Sequence, residues 1–460
     1  MSWSLPRSIA GACTIAALVL VGASFTGAVA DPPLVRAVGI AVFAVSLFAT
    51  GAVPNHIAAL WFFLTCMLLG IAPAATVFSG FTSTPFWLVF GGTVIGIAVK
   101  ETGLGARIAQ ALARRFGASY AGAVAGTVAV GVALSFVMPS SMGRIVLLLP
   151  IVAALAEQLG FAQGSRGRTG LVLAMIYGTL VPAFALLPSN VPNLVLAGAA
   201  ETLYGVTLIY GEYFLLNYPV LGFVKAIVIA VLIAVMFREE PRIAVAPAAA
   251  KPMSAAERRL TVVLLAALLL WMTDFVHHVS PAWVSLGAAA ICLAPRIGVL
   301  SVDGIHEKVG YGALIYVAGI LGLGAVISST GLGTVLGGVL IEWADLKPGA
   351  DTYNFAAIGA ITSLLAVLTT QPGAPAVIAP LAGDIAAATA LPLLTVLMTI
   401  VVGFSAVIFP YQTPPIVVGL QLGRVGFGTA TRFNLVLFAI TIVVLTPLHY
   451  LWWRILGLLS

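Results

Sequence analysis

Long apolar stretches dominate this chain, and short clusters of proline, glycine, serine and charge interrupt them. The runs at 9–30, 215–237 and 433–453 reach the roughly 20 residues that a bilayer-spanning helix needs, and 58–71 is a further apolar run. Strand-type alternation of apolar and polar positions is absent, which argues against a β-barrel. The pattern predicts helices near 9–30, 34–53, 57–72 and 85–100, then a surface helix at about 105–116. A segment at 120–159 follows that enters the membrane and returns, then a broken helix near 170–205 and a helix near 213–237. The second half predicts helices near 260–278, 282–299 and 311–328, a surface helix at 332–346 and a second hairpin at 354–389. A broken helix near 392–422 and a final helix near 432–456 complete it. The expected fold is an all-α polytopic membrane protein with about 11 transmembrane helices plus two re-entrant helical hairpins.

Composition agrees with a chain that faces lipid. Of 460 residues, 61% are hydrophobic and 8% charged; such a surface cannot be kept in water. The 48 glycines and 26 prolines serve close helix packing and intended breaks in that setting. Cys13, Cys66 and Cys292 are widely spaced within apolar runs and read as small core residues. The net charge of +6 is modest and reads as loop charge that sets topology, not as affinity for nucleic acid. His56, His277, His278, His306 and His449 show no metal spacing. There is no Gly-x-x-x-x-Gly-Lys-Ser/Thr loop for nucleotide hydrolysis and no hydrolase triad, so an enzyme is not expected. At the start, Arg7, an apolar run and Ala28-Val29-Ala30 resemble a secretory signal with its cleavage site. The run exceeds the usual signal core, and a retained first helix is expected.

The chain repeats itself. Thr102-Gly103-Leu104-Gly105 returns as Thr330-Gly331-Leu332-Gly333, an offset of 228 residues. Each copy precedes a hairpin and a broken helix. The expected division is a first repeat at 1–237, a cytoplasmic linker at 238–259 and a second repeat at 260–460. Within them, scaffold helices occupy 1–118 and 260–350; hairpin and broken helix occupy 119–237 and 351–431. Basic residues mark the cytoplasmic side. Both flanks of 120–159 are basic, whereas 354–389 has basic-poor flanks. The two hairpins are therefore expected to open to opposite sides, as in an inverted repeat.

Four interruptions lie at membrane depth: Pro139 to Arg144, Pro188 to Asn193, Thr370 to Pro375, and Pro410 to Pro415. Freed backbone is tolerated there when it lines a cavity or binds something. Carbonyls can hold a cation, and helix N-termini can hold an anion. Paired broken helices in a duplicated membrane protein point to a secondary transporter. Arg144 follows the first hairpin turn. An arginine there reads as an anion-binding charge, because a guanidinium meets carboxylate or sulfate oxygens at two points; the alternative is an intramolecular structural contact.

These motifs resemble the divalent anion:sodium symporter family. Its members carry Ser-Asn-Thr at each hairpin tip, with a proline ten positions after the serine. Ser140 with Pro150 and Thr370 with Pro380 keep that spacing. The family's Gly-Thr-Pro-Pro-Asn type loop is similar to Ser189-Asn190-Val191-Pro192-Asn193 and to Gln412-Thr413-Pro414-Pro415-Ile416. The chain departs at Ser141-Met142, at Gln371-Pro372 and at Arg144, where a small residue is usual. The resemblance implies a secondary transporter of di- or multivalent anions, such as dicarboxylates or sulfate, in the cytoplasmic membrane. It implies a homodimer working by an elevator-type movement, with Na+ as a coupling ion. It implies a substrate site of Ser140, Ser141, Asn190 and Asn193 from one half and Gln371, Gln412 and Thr413 from the other, beside Arg144. Ser140, Ser189, Asn190, Thr370, Gln371 and Gln412 would serve the ion. Arg144 admits an alternative: its fixed charge replaces a bound sodium, and transport runs with fewer sodium ions, on protons, or by exchange.

Overall fold

The computed structural model describes residues 5–27, 29–50, 52–105, 107, 119–138, 140–241, 252–301 and 308–459. Most of the surface helix expected at 105–116, the middle of the linker, Pro139 and His306 lie outside them. Most of the described residues are helical, and none forms a strand. Among the described residues, six helices are long and apolar enough to cross a membrane, and the other apolar helices are shorter.

Several helices stop earlier than the apolar pattern predicts, each for a local reason. The first spans Leu5–Ala23 rather than 9–30: the Ser24 hydroxyl bonds back to Val21 O, and Gly27 follows at positive φ. The third spans Asn55–Leu68 and is closed by Gly70 at φ +59°. The helix expected at 282–299 ends at Leu293, because Ala294 adopts an extended backbone ahead of Pro295, as residues before proline do. Another starts sooner than expected. Ala255–Met272 begins with a capping box in which Ser254 accepts from the Glu257 N–H and Glu257 accepts from the Ser254 N–H. Arg107 reaches the same carboxylate through two nitrogens, at 2.8 and 3.0 Å. Ser254→Ala should lower stability by about 1 kcal/mol, read as a small drop in the thermal unfolding midpoint of the detergent-solubilised protein.

The repeat is visible in local geometry. Thr102 and Thr330 each end a helix with the hydroxyl bonded to the carbonyl four residues back, Ala98 O and Val326 O, both at 2.8 Å. Gly103 and Gly331 then take positive φ, the left-handed turn that closes a helix. The repeated word thus marks a helix end in both halves. Ser135 and Ser363, again 228 apart, each bond a glycine carbonyl one turn back and a carbonyl of the following broken helix. Pro219 and Pro447 keep the same offset; Pro219 lies within the π-type stretch Tyr218–Val224, and Pro447 follows the π-type stretch Thr441–Leu445 by two residues.

Two apolar cores organise the molecule. A smaller one joins the first three helices to Tyr311–Ser329 through Phe48, Phe62, Phe63 and Tyr316. A larger one draws on the hairpins, broken helices and closing helices, including Tyr177, Phe184, Phe404, Phe433 and Trp453. The candidate site lies where Tyr311–Ser329 meets the hairpin tips and the breaks.

Candidate functional site

The first hairpin pairs Tyr120–Val137 with Ser141–Gln158. The second pairs Asp351–Leu368 with Gly373–Ile378, continued to Thr389. Both tips are closed alike. The Ser140 hydroxyl accepts from the Gly143 N–H at 3.1 Å, and the Thr370 hydroxyl accepts from the Gly373 N–H at 3.2 Å. A hydroxyl that accepts from the N–H three residues on is the contact of an N-cap, and the two tip residues make that contact alike ahead of their helices.

The broken helices are interrupted where proline removes donors. Arg166–Leu180 gives way to tight turns at Pro182–Ala185 and Leu187–Ser189, and the helix resumes as Val191–Tyr204 with Asn190 as its cap. Leu393–Phe404 stops, and after a turn at Pro410–Gln412 the chain resumes as Pro414–Gly423.

A cavity of about 260 Å³ lies at the meeting point. Ser140, Ser141 and Met142 line it from the first tip and Pro372 from the second. Asn190, Val191 and Pro192 come from the first break, and Thr413, Pro414 and Pro415 from the second. Four helix starts therefore converge on one space. Each brings the positive end of its dipole, the end that favours an anion. No lysine, arginine, aspartate, glutamate or histidine is among the lining residues. The Asn190 amide nitrogen is buried without a protein partner and is available to an occupant of the cavity.

Arg144 stands elsewhere than direct contact with the anion requires. It is fully buried and does not line the cavity. Its guanidinium donates to Met138 O, to Thr179 O at 3.1 Å, to Ser189 O at 3.2 Å and to the Ser141 hydroxyl at 3.0 Å. Thr179 O and Ser189 O lie at the end of Arg166–Leu180 and in the following turn, and Met138 O and Ser141 belong to the first hairpin tip. Arg144 lies one helical turn beyond Ser140, so it points back at the broken helix behind the tip. Neither Glu157 nor Asp384 is its partner: Glu157 pairs with Arg168 at 3.3 Å, and Asp384 packs near Gly337.

The remaining expected residues divide in the same way. Ser140, Ser141, Asn190 and Thr413 line the cavity. Ser189, Asn193, Thr370, Gln371 and Gln412 do not; they hold the breaks and tips together. Ser189 donates to Ser135 O, and Asn193 donates to Ala183 O and Leu186 O. Gln371 accepts from the Thr413 hydroxyl at 2.5 Å and donates to Ala406 O at 3.4 Å. Gln412 accepts from the Ile408 and Phe409 N–H groups. Met142 and Pro372, both departures from the tip signature, face the cavity and leave it fewer hydroxyls. Asn55, Thr93, Ala313 and Tyr316 also line the cavity and were not singled out by the sequence. Their only local signal is a polar or small residue in or beside an apolar run, which describes many positions.

Four helix starts meet around a cavity whose lining residues carry no side-chain charge, within an apolar polytopic bundle, an arrangement suited to holding anion oxygens. Comparison with known proteins identifies the group. A family described as sodium:sulfate symporter transmembrane region matches residues 13–459, and the chain belongs to that family. The L-tartrate/succinate antiporter of Escherichia coli (strain K12) is 25% identical over 400 residues, covering 81% of this chain and 79% of the relative. A membrane protein of Cupriavidus necator is 26% identical over 354 residues, 72% of this chain and 69% of that one. The crystal structure of the Alcanivorax borkumensis YdaH transporter, described as having an unusual topology, shares the fold at a TM-score of 0.56 and 16% identity. That match covers 92% of this chain and 98% of the other.

Proposed function

We propose that this protein exchanges small divalent anions of the dicarboxylate type across the cytoplasmic membrane. The observation that carries this reading is the convergence of four helix N-termini on one uncharged cavity, an arrangement that favours anion oxygens over cations. Ser140, Ser141, Asn190 and Thr413 would touch the substrate. The name of the antiporter relatives supports exchange of dicarboxylates. Arg144 supports exchange as well, because a guanidinium already fills a set of carbonyls of the kind that would otherwise hold a small cation. In this reading the hairpins and broken helices move as one body of an inverted repeat against the scaffold helices, in a homodimer as the family resemblance implies.

The test is counterflow in proteoliposomes. Uptake of labelled succinate should require an unlabelled dicarboxylate inside and should be unchanged when sodium is replaced by choline. Uptake into empty vesicles that rises steeply with sodium would support the second reading, sodium-coupled symport, which the family description favours. Dicarboxylates should also raise the thermal midpoint of the purified protein, by the mass-action effect of a ligand that binds only the folded state.

A further inference from the structure

A second cation is sealed into the same body. Lys225, on the helix Tyr210–Met236, is 1% exposed, and its ammonium donates to Ser405 O at 2.9 Å. Ser405 caps the end of Leu393–Phe404, the first part of the second broken helix. Arg144 treats the first broken helix in the same way through Thr179 O, in the last turn of Arg166–Leu180. Each broken helix thus ends, at its negative pole, on a buried side-chain cation supplied by another element. The ion pairs among the described residues involve neither Arg144 nor Lys225. His449 of the last helix is also buried, and its ring nitrogens have no protein partner.

The internal repeat does not generate these residues. At the offset of 228, Trp453 stands where Lys225 would recur, and the second tip carries no arginine. Both cations belong to the first half, yet they serve the breaks of both halves. Both connect to the cavity through polar groups, Arg144 through a single residue and Lys225 through a longer relay. Arg144 bonds Ser141, which lines it. Behind Ser405, the neighbouring Ala406 O accepts from Gln371, and Gln371 accepts from Thr413, which lines it from the other side.

Two buried positive charges without carboxylate partners are expensive to carry through a bilayer. An anion of matching charge between them removes most of that expense. We propose that Lys225 is the second of two built-in cations and that, together with Arg144, it sets the charge of the transported anion at two. This rests on the exchange reading above. The body loaded with a dianion is then neutral, and the empty body carries two positive charges and is held back, which makes exchange obligatory.

The experiment uses the full-length protein in proteoliposomes exchanging succinate. Competition is measured with succinate and with its singly charged monoamide, succinamate. The wild type should favour succinate by at least about tenfold, Lys225→Arg should keep that preference, and Lys225→Met should bring the two competitors close to parity. A folded Lys225→Met with an unchanged ratio overturns the inference while leaving the exchange reading intact. Should Lys225→Met fail to give monodisperse protein, the wild type decides. Its succinate counterflow should be the same at zero potential and at about 100 mV of either sign, since only uncompensated charge feels the field. A severalfold change overturns the inference. Absence of counterflow for every dianion tested in the wild type overturns the exchange reading and this inference with it.

Discussion

Arg144→Met is expected to abolish exchange, reducing it at least about a hundredfold, whether or not sodium is present. The substitution keeps the length and bulk of the side chain but removes every donor. Met138 O then loses the group it faces, and Thr179 O and Ser189 O keep only the Ser135 and Ser141 hydroxyls. Each buried polar group left unmade costs about 1–3 kcal/mol, and all three sit at the tip and break that form the cavity. Arg144→Ala should differ in an informative way. It leaves space among the same carbonyls, and a small cation can enter where methionine would block it. The alanine variant should therefore be inactive in choline and recover part of its exchange in sodium. Arg144→Lys should retain partial activity, since a single ammonium cannot span donors that a planar fork reaches together. Equal behaviour of the alanine variant in sodium and choline, with activity close to wild type in both, would show that Arg144 neither supports the site nor stands in for an ion.

Gly322→Ala should damage the scaffold as severely. A methyl group at Gly322 would lie 2.2 Å from Val77 O, and one at Gly80 would lie 2.2 Å from Ala318 O. The short helices Ala74–Val77 and Ser79–Thr82 therefore rest backbone to backbone on Tyr311–Ser329. No rotamer change relieves a clash with a carbonyl, so the segments must separate, at a cost of about 1–3 kcal/mol or more. The expected result is a clear fall in the thermal midpoint and in the yield of monodisperse protein. Transport should suffer too, because Ala313 and Tyr316 on the displaced helix line the cavity. Gly338→Ala supplies the control: it is exposed on the helix Leu332–Trp343 with nothing within 4 Å of the added methyl, and it should be neutral or slightly stabilising. If both variants unfold at the same temperature, close backbone approach at Gly322 is not what holds this helix.

Much of the fold was legible because the signals are local. Proline spacing located the breaks, the Ser140 and Thr370 tips were found by their offset to Pro150 and Pro380, and Thr-Gly-Leu-Gly marked equivalent helix ends. Boundaries were less legible where one residue overrode the apolar pattern. Gly27, Gly70 and Pro295 ended helices early, and the Ser254–Glu257 capping box, readable in principle, lay in a stretch taken as linker. The candidate site was legible as a set of loops but not as a set of contacts. Gln371, Gln412 and Asn193 are polar residues in the right loops, yet they bond to backbone and to each other rather than face the cavity. Lys225 gave no signal at all: within an apolar helix it reads as a snorkelling residue.

By itself the sequence determined the environment, the helical class, the repeat and the position of each break. Apolar run length, proline and glycine act within a few residues of where they stand. The tertiary structure alone decided what faces what. Arg144 meets carbonyls 35 and 45 residues away, and Lys225 meets one 180 residues away. Whether a buried cation confronts a substrate or the end of a helix depends on which elements pack beside it, and no periodicity records that choice.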